Sequence, residues 1–215
     1  MTSTDVDRRA LGASSLWYLY EGDSDILLSV VAGSAVAKSG PAVCRAGSVR
    51  LPAGELLVLE AGSTGVVFDG VRVPPGGPVP SHPPVLLGAR RWLVAHADKR
   101  VVLDELAQHI GYGKFHLVRR FREHFGVPPM TFKRVVRLWH ARQAIREGVP
   151  LAQAAADSGY FDQAHLTREC KELWGCTPGE VRPPDRVLRS TSSLANEASF
   201  ARAQRSRLNH SAQEG

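Results

Sequence analysis

The feature that most constrains this chain is a motif that occurs twice. Gly111-Tyr112 is repeated as Gly159-Tyr160, His116 to Phe121 (HLVRRF) as His165 to Cys170 (HLTREC), and Gly126 and Pro129 as Gly175 and Pro178. Two related units of about fifty residues therefore lie in tandem. Laid on a helix of 3.6 residues per turn, Leu166, Cys170 and Leu173 fall on one face, with Ala164, Arg168 and Lys171 opposite. In the upstream copy Leu117 and Phe121 form the buried face, leaving Phe115, Arg119 and Arg122 outward and Val118 at the edge. Gly159 suits a left-handed turn ahead of the second helix, and Asp162 can accept from its first free amides. Helix, glycine turn, and a helix with a basic outer face is the helix-turn-helix pattern.

The residues from about 84 to 182 resemble the AraC/XylS-type DNA-binding domain, two helix-turn-helix units joined by a long helix. The run GYFDQAHLTR at 159–168, followed by GCTP at 175–178, is close to that family's closing signature. The joining helix would be Thr131 to Glu147, with Arg137, Leu138 and Ala141 in the family's R-L-x-x-A run. At about 1.5 Å per residue such a helix is about 25 Å long, enough to hold two reading helices near one DNA turn apart. The resemblance implies base-edge contacts from Phe115, Val118 and Arg119 in the first unit and from Ala164, His165 and Arg168 in the second. Arginine pairs bidentately with guanine, and Phe115 and Ala164 suit thymine methyls. Lys114, Arg122, Gln163, Thr167 and Lys171 suit phosphate contacts, which position without specifying. Two departures stand out: Val102 and Gly113 replace side chains that would cap the first unit's helices, each worth about 1 kcal/mol.

Charge agrees with a nucleic-acid partner and is unevenly spread. The net charge of the 215 residues is +6, with 16 basic and 10 acidic side chains in residues 84–182, against 6 and 8 in residues 1–83. The 33 residues from 183 carry 5 basic and 3 acidic side chains, begin with a Pro-Pro stop and are poor in apolar residues, so a disordered tail is expected over 183–215. Residues 74–83, part of VPPGGPVPSHPP, read as a semi-rigid linker, because prolines remove donors and fix backbone angles. Val85, Ala89, Trp92, Leu93 and His96 then fall at helical spacing, which predicts a packing helix ahead of the first unit.

Upstream of the linker, SLWYLY, DILLSVVA, ELLVLE and VVFD read as short strands, and Asp69-Gly70 as a tight hairpin between VVFD and VRV. Residues 1–73 thus read as a small β-rich unit with Trp17, Tyr18, Tyr20 and Phe68 as its core, and the resemblance implies that it serves regulation or dimerisation. The resemblance makes that unit a partial cupin-like domain. It is about half the usual size, which argues against a closed effector cavity. The fold class expected is α+β and multidomain: a small β-rich N-terminal unit, then an all-α domain of two helix-turn-helix units joined by a long helix.

Other chemistries lack their residues. The first histidine is His82, beyond the last expected strand, and Cys44, Cys170 and Cys176 form no CxxC pair, so neither a metal site nor a disulfide framework is expected. Cys170 reads as a small buried apolar residue. No nucleophile elbow, phosphate loop or dinucleotide fingerprint occurs, so neither enzyme activity nor a cofactor is expected. The N-terminal residues lack an apolar segment, so no signal peptide is expected, and a location in the cytoplasm, with the nucleoid, follows. Double-stranded DNA is the partner implied. RNA polymerase and a second copy of the chain are further candidates, and a small-molecule effector stays open. The competing reading is a protein-interaction adaptor whose helix-turn-helix units no longer read DNA; the outward arginines argue against it, and salt dependence of duplex binding separates the two.

Overall fold

The structure is a computed structural model, which describes residues 6–12, 15–22, 24–39, 42–45, 47–74, 76 and 80–181. The expected tail, 183–215, lies outside the described residues, as does the side chain of Cys44. Residues 1–182 form one compact unit.

Two long antiparallel strands organise the N-terminal part. They are β3 (Asp25–Ser39) and β6 (Leu56–Val73), paired from Asp25↔Val73 to Lys38↔Val58. One end of this ribbon is flanked by β5 (Ser48–Leu51) on β3 and β1 (Val6–Leu11) on β6. The other end is flanked by β4 (Ala42–Arg45) on β3 and β2 (Leu16–Tyr20) on β6. Between the ends the register slips twice, at Val30/Ala32 and Gly33/Ala35. Such bulges bend and twist a strand pair. Gly33 sits there at φ +82°, and a Cβ on it would lie 2.2 Å from the Gly65 carbonyl oxygen, so the crossing demands glycine.

Of the expected core, Trp17 and Phe68 meet at 4.9 Å between ring centroids, whereas Tyr20 is buried against Phe132 and Trp139 of the helical half and Tyr18 is only partly buried. A void of about 20 Å³ remains between Leu28, Val30, Leu59 and Phe68. That is room for about one water, far below the several hundred Å³ that a small-molecule site needs.

Three expectations for this half need correction. ELLVLE and VVFD are one strand, β6, and DILLSVVA continues as β3 to Ser39. Asp69-Gly70 is no hairpin: Asp69 pairs with Ser29 and Arg8, and Gly70 with Leu28 and Asp7, inside the sheet. A two-residue reversal of that kind needs positive φ, and Gly70 is not among the glycines that have it. The short flanking strands β1, β4 and β5 were not among the strands expected: β1 pairs with residues about sixty positions away, β5 with the start of β3, and β4 folds straight back on the end of β3.

Helix α1 (Pro84–Ala95) opens the helical half on a proline in its first turn. Its buried stripe is Leu86, Ala89 and Leu93, not the stripe led by Val85, which is exposed. His96 lies just past the helix, where Nδ1 bonds the Trp92 carbonyl at 2.8 Å and the ring stacks on Trp92. Helices α2 (Leu103–Ile110) and α3 (Lys114–Phe125) form the first unit, and α5 (Leu151–Asp157) and α6 (Gln163–Trp174) the second. Between them runs α4 (Pro129–Arg146), and a 3₁₀ turn at Pro178–Val181 closes the domain.

The sheet packs directly on this helical half. Glu21, buried at the end of β2, accepts from Arg142 Nη1 at 2.8 Å and from Trp139 Nε1 at 3.1 Å, both on α4. Trp174 Nε1 of α6 donates to the Tyr18 carbonyl at 2.8 Å. Glu55 accepts from Arg90 of α1 and pairs with His82 at 3.3 Å. The last linker residues are therefore part of the packed unit, with the His82 ring 4.4 Å from that of Phe125.

Candidate nucleic-acid interface

Each unit is built by the same local chemistry. The turn before the reading helix is left-handed at Gly111 (φ +70°) in the first unit and at Gly159 (φ +74°) in the second. Gly159 is required twice over, since a Cβ there would lie 1.8 Å from the Asp98 carbonyl oxygen. After each turn a tyrosine meets the helix's first histidine edge to face: Tyr112 with His116 at 4.8 Å, Tyr160 with His165 at 5.2 Å. The caps differ. Asp162 accepts from the His165 amide at 2.6 Å, whereas Gly113 offers α3 no side chain. At α2, Val102 cannot cap, and Glu105 reaches back to its amide at 3.4 Å.

The residues expected inward from periodicity, Leu117 and Phe121 of α3 and Leu166, Cys170 and Leu173 of α6, are buried, and Phe125 and Trp174 join them. What holds each helix to α4 is chemically different. In the first unit Phe132 of α4 meets Phe121 at 5.6 Å and Phe125 at 6.2 Å between centroids. In the second, Arg137 Nη2 donates to Glu169 at 2.6 Å, Arg134 approaches the other Glu169 oxygen at 3.4 Å, and the Arg137 guanidinium lies over the Tyr160 ring at 4.3 Å. Burial, and then the Glu169 charge, push the Tyr160 hydroxyl above the usual tyrosine range. Glu169 was not expected from the sequence to be buried; its position on the inward face, one residue from Cys170, was the available signal. Nearby, Lys133 donates to the carbonyls of Ala97 (3.0 Å) and Lys99 (2.7 Å) at the end of α1's loop. Burial, reinforced by Arg137, holds its ammonium below the ordinary lysine range.

Lys114, Phe115, Val118, Arg119 and Arg122 all line one open groove of about 660 Å³, together with Leu103 and Glu123. Phe115 is 90% exposed. Two of the cations already have partners: Lys114 bonds Asp104 at 2.5 Å, and Arg119 lies 3.6 Å from Glu123, which also takes Arg120 at 2.9 Å. These acids were not part of the expected site, and they dilute its positive charge.

In the second unit Gln163, Ala164, Arg168 and Lys171 are exposed, and neither Arg168 nor Lys171 has an ion pair among the described residues. His165 is set back, half-buried on Tyr160 with Nε2 3.6 Å from Glu169. Thr167 directs its hydroxyl proton to the Gln163 carbonyl at 2.8 Å, so a phosphate would have to compete for it. Cys170 is buried, as expected. Among the described residues no three His, Cys, Asp or Glu side chains converge as metal ligands, and no helix is long and apolar enough to cross a membrane.

Comparison with known proteins agrees with this geometry. A helix-turn-helix domain family matches residues 106–183. The HTH-type transcriptional activator AarP of Providencia stuartii is 28% identical over 95 residues, 44% of this chain and 70% of that protein. An uncharacterized HTH-type transcriptional regulator of Bacillus subtilis, YbfI, is 32% identical over 75 residues, 35% of this chain but 27% of that protein. Among solved structures, ToxT of Vibrio cholerae superposes with a TM-score of 0.51 at 10% identity, covering 83% of this chain and 96% of that one. That likeness extends to the sheet as well as the helices, and it is one of fold.

Proposed function

We propose that the chain, whose residues 106–183 match a helix-turn-helix domain family, is an AraC-type transcription regulator that reads a specific duplex site with α3 and α6 in successive major grooves. The observation that carries the reading is the repetition of one arrangement on a shared helix. Each reading helix buries its apolar face, starts from a left-handed glycine turn, and turns a basic face outward. At about 1.5 Å per residue the 18 residues of α4 span about 27 Å, comparable with the 34 Å between successive major grooves on one side of a duplex.

In this reading residues 84–182 are the DNA-binding module. Phe115, Val118, Arg119, Ala164, His165 and Arg168 read bases, and Lys114, Arg122, Gln163, Thr167 and Lys171 grip phosphates. Residues 1–73 serve regulation or dimerisation, and RNA polymerase is a further partner. Names of relatives support transcription as the process; the chain spans only 27% to 40% of the first three of them, so their partners are not carried across.

Selection of bound sequences from a random duplex pool tests the reading. Enrichment of a motif with two half-sites about one helical turn apart is the expected result, together with an affinity that falls steeply with salt. Absence of any duplex binding at low salt would leave the adaptor reading in its place.

A further inference from the structure

The two most exposed large apolar side chains among the described residues are Phe161 at 93% and Phe115 at 90%; the next, Val102, is 53%. Both phenylalanines stand at the start of a reading helix. Phe115 is the second residue of α3, and Phe161 immediately precedes Asp162, the cap of α6.

Phe161 is also where the two repeats differ in length. Four residues separate Tyr160 from His165, but only three separate Tyr112 from His116. With Asp162 and Gly113 matched as the two caps, Ala164 stands where the first unit has Phe115, and Phe161 is the additional residue. Each unit thus offers one bare phenyl ring at the same end of its reading helix.

A phenylalanine directly before a cap has one ordinary structural role. It packs on the fourth residue of the helix as a hydrophobic staple, here Leu166. Leu166 is 1% exposed, covered by the interior, and Phe161 is left in solvent with no ring partner among the described residues. The staple is not made, so the ring does no packing that would account for an apolar residue at this place.

Resting on the proposed reading of DNA, we infer that Phe161 is a specificity-determining residue of the second unit, its ring meeting a thymine 5-methyl group at the groove edge. The N-terminal end of a reading helix is the part that approaches base edges, and an apolar ring there discriminates thymine by its methyl. Ala164 offers only a methyl group to such a contact, and Phe161 adds a whole ring from the turn.

The test uses the full chain and its selected duplex. Each thymine in the second half-site is replaced in turn by deoxyuridine, which deletes only the methyl, and affinities are measured for the native protein, Phe161→Ala and Phe161→Leu. We expect one position at which the native protein loses about fourfold, the worth of one buried carbon. Phe161→Ala should bind thymine and deoxyuridine there equally, and Phe161→Leu should keep part of the preference. Equal affinity of Phe161→Ala and the native protein, with the same thymine sensitivities, overturns the inference while leaving the DNA reading intact. A loss shared by all duplexes, selected or random, overturns it too, since it marks backbone packing. Failure of the native protein to bind any duplex removes the reading on which it rests.

Discussion

The two helix-turn-helix units share a backbone plan, its glycine turns and its tyrosine-histidine pairs, and differ in how each reading helix is anchored, capped and charged. The first is held to α4 by three phenylalanine rings, lacks a side-chain cap on α3, and balances two of its outward cations with Asp104 and Glu123. The second is held by an arginine and glutamate cluster, is capped by Asp162, and leaves Arg168 and Lys171 without ion pairs among the described residues. The contrast teaches that inward packing and outward charge are set separately on the two faces of one helix. A unit can have an apolar anchor and a muted basic face, or a polar anchor and an open one.

The largest expected effect is on the apolar anchor. Phe132 is fully buried and touches Phe121, Phe125 and Tyr20, so Phe132→Ala opens a cavity shared by α3, α4 and β2. The cost should be about 3 to 5 kcal/mol, read from urea unfolding of the full chain. A loss below about 1 kcal/mol would show that the rings repack freely and that the first unit has no fixed anchor.

The polar anchor should be weaker. Glu169→Ala leaves Arg137 facing Tyr160 without its carboxylate, while Arg134 keeps Glu172 at 2.8 Å. Breaking a fully buried pair costs 3 to 5 kcal/mol, and the partial exposure of Arg134 reduces this to about 2 kcal/mol. If Glu169→Ala proved as costly as Phe132→Ala, the distinction between the anchors would collapse.

Outward, the order reverses. Arg168→Ala should cost about 1 to 3 kcal/mol of duplex binding and relax preference at one or two base pairs. Arg119→Ala should cost less, because Glu123 lies 3.6 Å from its guanidinium and already competes for it. Glu123→Gln should then tighten binding by the first unit. Equal losses for Arg119→Ala and Arg168→Ala in quantitative duplex titrations would mean that Glu123 turns away when DNA arrives.

Much of this contrast is visible in the chain itself, because it rests on short-range rules. The repeated Gly-Tyr turns, the Asp162 cap, the missing caps at Val102 and Gly113, and the outward placement of Phe115 and Arg168 all follow from helical period and turn chemistry. What escaped is long-range. Glu21 and Arg142 are 121 residues apart, and nothing local marks either as half of a buried pair. The sheet misled for a related reason: Asp69-Gly70 carries a hairpin signature, but β6 is claimed on both sides by β1 and β3, and pairing overrides the local preference. In α1, Val85, Leu86 and Leu87 are adjacent apolar residues, so periodicity alone left the phase of the stripe open by one position.

The smallest effect tests the difference in capping and can be made to run in opposite directions in the two units. Asp162→Ala removes the acceptor for the His165 amide and should cost about 1 kcal/mol. Gly113→Ser does the reverse in α3. Gly113 already has extended angles, φ −65° and ψ 141°, and a Cβ on it would meet no atom within 4 Å, so serine enters without strain and its hydroxyl oxygen can take a free amide of the first turn. The gain should be about 0.5 kcal/mol, part from the cap and part from the freedom that glycine loses on folding. Hydrogen exchange at the first amides of α3 checks where the gain arises: Leu117 already donates to the Gly113 carbonyl at 2.9 Å, so new protection should fall on residues 115 and 116. If stability rose without protection there, the effect would lie in the unfolded chain, and the missing cap would not be what separates the two units in stability.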